Sequence, residues 1–167
     1  MINKNIFLIG MMGSGKSSVA PKLSCKINLP YIDTDIDLLS ILDKNFSEIS
    51  ELKFRQLESV YFLERIKKKY NIYATGGGII LSKQNRIEMK NYGVVIFLKT
   101  SSEELYKRLI NSNLENRPLL DKKNIKDSIR KIWLQRKKYY SDCADIKIVT
   151  DNLSVDDVVN KIILKLS

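Results

Sequence analysis

Gly10-Met11-Met12-Gly13-Ser14-Gly15-Lys16-Ser17 is the stretch on which the reading of the chain turns. It has the pattern Gly-x4-Gly-Lys-[Ser/Thr], with the strand-like run Ile6-Phe7-Leu8-Ile9 before it and a helical pattern from about Lys16 to Lys26 after it. That context carries a mechanism. A polyphosphate needs backbone N–H donors at close range, which the glycines allow, and a helix N-terminus whose partial positive charge faces the anion. Gly13, Ser14, Gly15, Lys16, Ser17 and Ser18 are therefore candidate nucleotide-binding residues. Lys16 is expected at the β- and γ-phosphates, and the Ser17 hydroxyl on Mg²⁺. Pro21 falls inside the helix, where its missing N–H deprives the Ser17 carbonyl of its usual partner, so a kink or a bound water is expected there.

Outward from this loop, strand and helix patterns alternate. Pro30-Tyr31-Ile32 leads a strand ending at Asp33, Ile72-Tyr73-Ala74 makes a third, Val94–Leu98 a fourth and Ile146–Val149 a fifth. Helices are expected over Ile36–Leu42 and Glu51–Tyr70, after a capping box at Ser101 to Glu104, and after a second cap at Ser154 to Asp157. Such alternation implies right-handed crossovers and a parallel sheet covered on both faces, with ligands bound outside the carboxyl ends of the strands. Six of the seven glycines fall in two clusters, Gly10/Gly13/Gly15 and Gly76/Gly77/Gly78, each after a strand-like run. Gly10, Asp33/Asp35 and Gly76 all follow carboxyl ends, so one shared site is expected at that edge.

Composition narrows the function classes. At 167 residues, with 44% hydrophobic and 29% charged residues, the chain suits a single globular domain. Its longest apolar run, Val94–Leu98, is far too short to cross a bilayer, and Ile6–Ile9 ends in a glycine loop instead of a cleavage site. A cytoplasmic protein with no membrane partner is expected. Cys25 and Cys143 lack the spacing of a disulfide framework or a zinc ribbon, and with no histidine any general base must be sought among Asp, Glu or rarer choices. The formal charge of +10 suits anionic partners. No aromatic residues interleave Lys67-Lys68-Lys69 or Lys137-Lys138, so these read as solvated faces and not as a nucleic-acid surface.

Four further features point to chemistry. Asp33 and Asp35, at alternate positions past a strand, could hold a hydrated Mg²⁺ and orient an attacking hydroxyl; equally, Asp is favoured at a helix N-terminus without any chemistry. Thr75-Gly76-Gly77-Gly78 lets main chain approach a small ligand. Arg117 sits beside Pro118 in a polar stretch of lid-like length, Asn111 to Asn124. Arg136 shares a helical stripe with Ile129, Trp133 and Tyr140, where a cation requires a carboxylate or phosphate partner; a structural ion pair is the competing reading.

In order along the chain, the glycine loop at 10–17, Asp33-Thr-Asp35, Glu51-Leu-Lys-Phe-Arg55, Ala74-Thr-Gly-Gly-Gly78, Arg117-Pro-Leu-Leu120 and Arg136 before Tyr139-Tyr140 resemble the shikimate kinase family, small P-loop kinases of aromatic amino-acid biosynthesis. The resemblance implies an α/β fold of the P-loop NTPase type: a three-layer sandwich with a five-stranded parallel sheet of order 2-3-1-4-5 and helices on both faces. It also implies one kinase domain over 1–167, with a substrate lobe at about 36–70 and a mobile lid at about 111–124 carrying Arg117. The implied reaction moves the ATP γ-phosphate to the 3-hydroxyl of shikimate, giving shikimate 3-phosphate. On this resemblance Lys16, Asp35 and Arg117 are catalytic, and Asp33 holds Mg²⁺ through water. Asp35, Arg55, Gly77, Gly78 and Arg136 bind shikimate, while Arg108, Arg117 and the segment near Asn152 serve ATP. ATP, Mg²⁺ and shikimate are the expected partners, nucleic acid is not, and a monomer is expected. The stretch from Asp35 to Arg55 is a few residues shorter than is usual for the family, and Ser50 stands where Gly is common. The alternatives are another small-metabolite or nucleotide kinase of the same fold, and a P-loop module that binds nucleic acid.

Overall fold

A strand whose side chains are apolar on both faces must lie inside a sheet covered on both sides. β1 (Asn5–Ile9) is such a strand, buried at every position. It is flanked by β3 (Ile72–Ala74) and β4 (Gly93–Lys99), with β2 (Tyr31–Asp33) and β5 (Ile146–Val149) at the edges. All four pairings are parallel and the order is β2-β3-β1-β4-β5, as expected. The computed structural model describes residues 4–43, 48–67, 70–112, 119–121 and 123–167.

Seven helices accompany the sheet among the described residues: α1 (Lys16–Ile27), α2 (Thr34–Leu42), α3 (Glu51–Arg65), α4 (Lys83–Tyr92), α5 (Ser102–Ile110), α6 (Ile125–Cys143) and α7 (Val155–Leu166). The period-2 alternation of β1 divides the core. Ile6 and Leu8 join Val19 and Leu23 of α1 and Val159 and Ile162 of α7 on one face. Phe7 and Ile9 join Phe62 of α3, Met89 of α4, Leu109 of α5 and Ile129 and Tyr140 of α6 on the other. On that second face Phe7 and Tyr73 stack at 5.3 Å, and Phe97 and Tyr140 at 5.1 Å.

Four local readings of the sequence need adjustment. Helix α2 begins at Thr34, two residues before the expected start, because the Asp33 side chain caps it by accepting from the Ile36 N–H. Helix α3 ends at Arg65 instead of Tyr70. The buried Asn5 side chain donates to the Ile66 carbonyl at 2.9 Å and accepts the Asn71 N–H at 3.0 Å, which turns the chain into β3. Helix α4 has no counterpart in the sequence reading, since only Asn85 and Met89 of its residues are buried. Its necessity was nonetheless implicit: parallel strands require a crossover, and Ser82 supplies the N-cap by accepting from Asn85.

Of the two expected capping boxes, Ser154–Asp157 is complete. Ser101–Glu104 is half of one, because Glu104 is engaged by Arg108 and the Ser101 N–H donates instead to Asp151 at 2.9 Å. Pro21 lies inside an unbroken α1 that runs on to Ile27.

Candidate active site

The carboxyl ends of β1, β2 and β3 open into one cleft of about 1310 Å³, lined by residues of the glycine loop, α1, α2, α3, the 76–78 turn, α5, α6 and the start of α7. That exceeds the roughly 300–1,000 Å³ common for a single small-molecule site, so there is room for two substrates side by side.

At one end the glycine loop bends under constraints that explain its composition. Gly10, Gly13 and Gly15 have φ of 151°, 80° and 96°, conformations that L side chains rarely adopt. A Cβ on Gly10 would lie 2.7 Å from the Leu98 carbonyl. Lys16 is buried and donates to the carbonyls of Gly10 and Met11, each at 2.9 Å, so its ammonium is held at the loop that would surround a polyphosphate. The Ser17 hydroxyl donates to Asp33 Oδ2 at 2.5 Å. A hydroxyl and a carboxylate converging there form a hard-oxygen donor set of the kind Mg²⁺ takes while keeping several waters, so these residues fit that ion. The far wall holds Arg108, which pairs with Glu104 at 2.9 Å and donates to the Thr150 carbonyl at 2.8 Å.

The other end gathers acids and guanidinium groups from separate elements. Asp35 enters from the first turn of α2 and Arg55 from α3, where its Nη1 lies 2.8 Å from Glu58, itself only 2% exposed. Arg136 enters from α6, is 4% exposed, and donates from Nη1 to the Gly77 carbonyl at 3.1 Å. The glycine turn lets these groups close in: a Cβ on Gly76 would collide with both Asp35 Oδ1 and Glu58 Oε1, and one on Gly78 with the Arg55 guanidinium. Four buried side-chain atoms here have no hydrogen-bond partner: Asp35 Oδ1, Arg55 Nε, Glu58 Oε1 and Arg136 Nε. Buried polar atoms left unmatched in this way are costly unless a ligand satisfies them.

The electrostatics follow from that crowding. Burial, reinforced by the Glu58 and Asp33 carboxylates and opposed by Lys16 and Arg55, raises the Asp35 pKa from 3.8 to about 7. Burial also pushes Glu58 up, against the pull of Arg55 and Arg136. Behind this end, the Tyr61 hydroxyl of α3 donates to Asp37 of α2, and Arg65 lies 3.4 Å from the same carboxylate, tying the two helices together.

The family model for shikimate kinase matches residues 12–167. The chain belongs to the shikimate kinase family. It is 32% identical to the shikimate kinase of Enterococcus faecalis over 98% of each chain, and 34% identical to that of Symbiobacterium thermophilum over 97% of this chain and 95% of the other. The solved shikimate kinase from Acinetobacter baumannii, in complex with shikimate, superposes with a TM-score of 0.91 at 30% identity, covering 98% of this chain and 92% of that one. Family membership makes this chain a kinase that uses ATP, and the fold observed is the one the family resemblance implied.

As a shikimate kinase family member, the chain brings most of its sequence-predicted site residues into the one cleft. Gly13 to Ser18, Asp33, Asp35, Arg55, Gly77, Gly78, Arg108 and Arg136 all line it. Asn152 does not: it is exposed, with a left-handed φ of 55° in the turn after β5, and its neighbours Leu153, Ser154 and Val155 reach the cleft in its place. Arg117 lies outside the described residues, as do residues 113–116, 118 and 122 of the expected lid.

The ion pair weighed for Arg136 is absent among the described residues; its partner is a backbone carbonyl. The shortened stretch before α3 still delivers Arg55 to the cleft, and Ser50 acts there as N-cap, accepting from the Lys53 N–H. Two functional neighbours were missed. Glu58 stands three residues after Arg55, a spacing that places both on one helix face and could have signalled the pair. Tyr140 donates to the Gly77 carbonyl at 2.6 Å, a bond between residues far apart in sequence that no local pattern announces.

Proposed function

We propose that this chain, as one kinase domain over 1–167, transfers the γ-phosphoryl group of ATP to the 3-hydroxyl of shikimate, giving shikimate 3-phosphate. One observation carries the reading: Asp35, Arg55 and Arg136 meet around the 76–78 turn in the same cleft as the Lys16 loop. Two guanidinium groups beside a pocket suit a small carboxylic acid, since charge-assisted hydrogen bonds contribute about 1.5–3 kcal/mol each. Arg55 and Arg136 hold that carboxylate, and backbone at Gly77 and Gly78 holds the ring. Asp35 orients the accepting hydroxyl and takes its proton, a role suited to a carboxyl whose pKa lies close to neutrality.

At the other end Gly13, Ser14, Gly15 and Ser18 bind phosphate, Arg108 and the segment near Asn152 face the base, and Lys16 meets the β- and γ-phosphates. Ser17, with Asp33 through a water, would hold Mg²⁺, which when bound neutralises developing phosphate charge. Arg117, on a lid at about 111–124, adds a cation to the transferring group, and residues 36–70 act as the substrate lobe. A monomer in the cytoplasm is the form proposed; no helix among the described residues is long and apolar enough to cross a membrane.

Phosphoryl transfer depends on positioning and charge stabilisation more than on covalent chemistry, and this cleft supplies both. The test is ADP release from purified protein with ATP and Mg²⁺, assayed against shikimate, gluconate and nucleoside monophosphates in turn. ADP release that depends on shikimate is expected. Equal or greater release with gluconate or a nucleoside monophosphate, or none with shikimate, would overturn the proposal.

A further inference from the structure

Helix α6 sends two side chains, one turn apart, to a single acceptor. Tyr140 Oη lies 2.6 Å from the Gly77 carbonyl oxygen and Arg136 Nη1 lies 3.1 Å from it. A carbonyl has two lone pairs and accommodates both donors, but the donors differ in what else they can do. Tyr140 is fully buried, its ring stacked on Phe97 at 5.1 Å and near Trp133 at 6.5 Å, so it cannot swing away. Burial pushes its phenol up to about 12, which keeps it a donor at any working pH. Arg136 lines the cleft and still has a buried Nε without a partner.

The glycine turn needs an external anchor. Three consecutive glycines have no side chains to fix their peptide planes, and each is intrinsically permissive. The Gly76 carbonyl accepts from Ile79 at 3.2 Å and the Gly78 carbonyl from Leu81 at 3.0 Å, both within the turn itself. The Gly77 carbonyl is tied across to α6 instead. In a planar trans peptide the next N–H points opposite to the carbonyl, and the described peptides include no cis bond. Anchoring the Gly77 oxygen on α6 therefore aims the Gly78 N–H away from α6, and both glycines line the cleft.

We infer that Tyr140 is a positioning residue: its hydroxyl holds the Gly77 carbonyl, fixing the direction of the Gly78 N–H and releasing Arg136 Nη1 to the carboxylate of the substrate. Without that hydroxyl Arg136 is the sole donor, among the described residues, to a half-buried carbonyl. Binding the acid then either strips the carbonyl of its partner or leaves the guanidinium incompletely engaged, and each outcome weakens acid binding alone. Nucleotide binding, built on the Lys16 loop, does not pass through this contact. The inference rests on the proposed shikimate reaction.

Tyr140→Phe retains the ring stack and removes only the hydroxyl. The KM for shikimate, and its Kd by direct titration, should rise about three- to tenfold, the effect of losing one neutral hydrogen bond. The KM for ATP should stay within about twofold of wild type. Neither constant depends on the folded fraction, so a lower melting temperature in the variant does not obscure the result. An unchanged shikimate KM, or parallel rises for shikimate and ATP, would overturn the inference and leave Tyr140 a packing residue. Wild-type protein that fails to use shikimate would instead overturn the functional reading, and this inference with it.

Discussion

The two ends of the cleft are built differently. The phosphate-binding part of the nucleotide end is one contiguous loop whose lysine is bonded to that loop's own carbonyls and whose serine is bonded to Asp33. The acid end is assembled from α2, α3, the 76–78 turn and α6, and it holds four of the five buried side-chain atoms left without a hydrogen-bond partner among the described residues. The difference teaches where the protein stores its unfavourable electrostatics. A polyphosphate site can rest on backbone N–H groups, which retain carbonyl and solvent partners when empty. A site for a small acid with a hydroxyl needs side-chain charges preorganised in low dielectric, and these remain unsatisfied until the ligand arrives.

The sharpest way to break this contrast is Asp35→Asn. Turnover should fall by about 10²- to 10⁴-fold, the usual contribution of a general base, as read by ADP release. Stability should move the other way, with a sign set by the raised pKa. A carboxyl shifted from 3.8 to about 7 binds its proton more tightly in the folded protein than in the unfolded chain. That contribution is complete below about pH 4 and is lost as pH rises through about 7. The melting temperature of the Asp35→Asn variant should therefore gain on wild type between about pH 4 and pH 7, and kcat/KM of wild type should fall as pH drops below about 7. A gap in melting temperature that does not change with pH would contradict the assignment of Asp35 as the strained group.

Arg136→Lys separates the ends by substrate. A point charge replaces a planar fork at a position where the guanidinium donates to the Gly77 carbonyl and is proposed to hold the substrate carboxylate. The KM for shikimate should rise about tenfold or more with little change for ATP, whereas equal loss for both would merge the two ends into one unit. The smallest effect belongs to the nucleotide wall. Ser101→Ala removes the N-cap of α5 that orients Glu104 and Arg108, and should cost about 1 kcal/mol in denaturant unfolding without altering the shikimate KM.

Legibility in the sequence tracked the range of the interaction. The glycine loop was readable because eight adjacent residues carry both the bend and the chemistry. The strands β1, β4 and β5 announced themselves by apolar runs, and α7 by its cap and stripe. Helix α4 was not readable, since a mostly polar helix buries too little to leave a periodic trace, and its existence follows from topology instead. The end of α3 was missed because Asn5 decides it from across the sheet. Arg55 and Arg136 could be singled out by type and spacing, but Glu58 beside one and Tyr140 beside the other became visible only when the helices were in place.

By itself the sequence determined the parallel α/β architecture, the phosphate-binding loop and the set of acids and arginines available for chemistry, because apolar periodicity, glycine φ freedom and capping act between near neighbours. The tertiary structure alone decided which of those charges share a space, that Arg136 meets a backbone carbonyl in place of an acid, and that Tyr140 secures the glycine turn. Such contacts are set by how helices pack across a sheet, where residues more than sixty positions apart come within hydrogen-bonding distance.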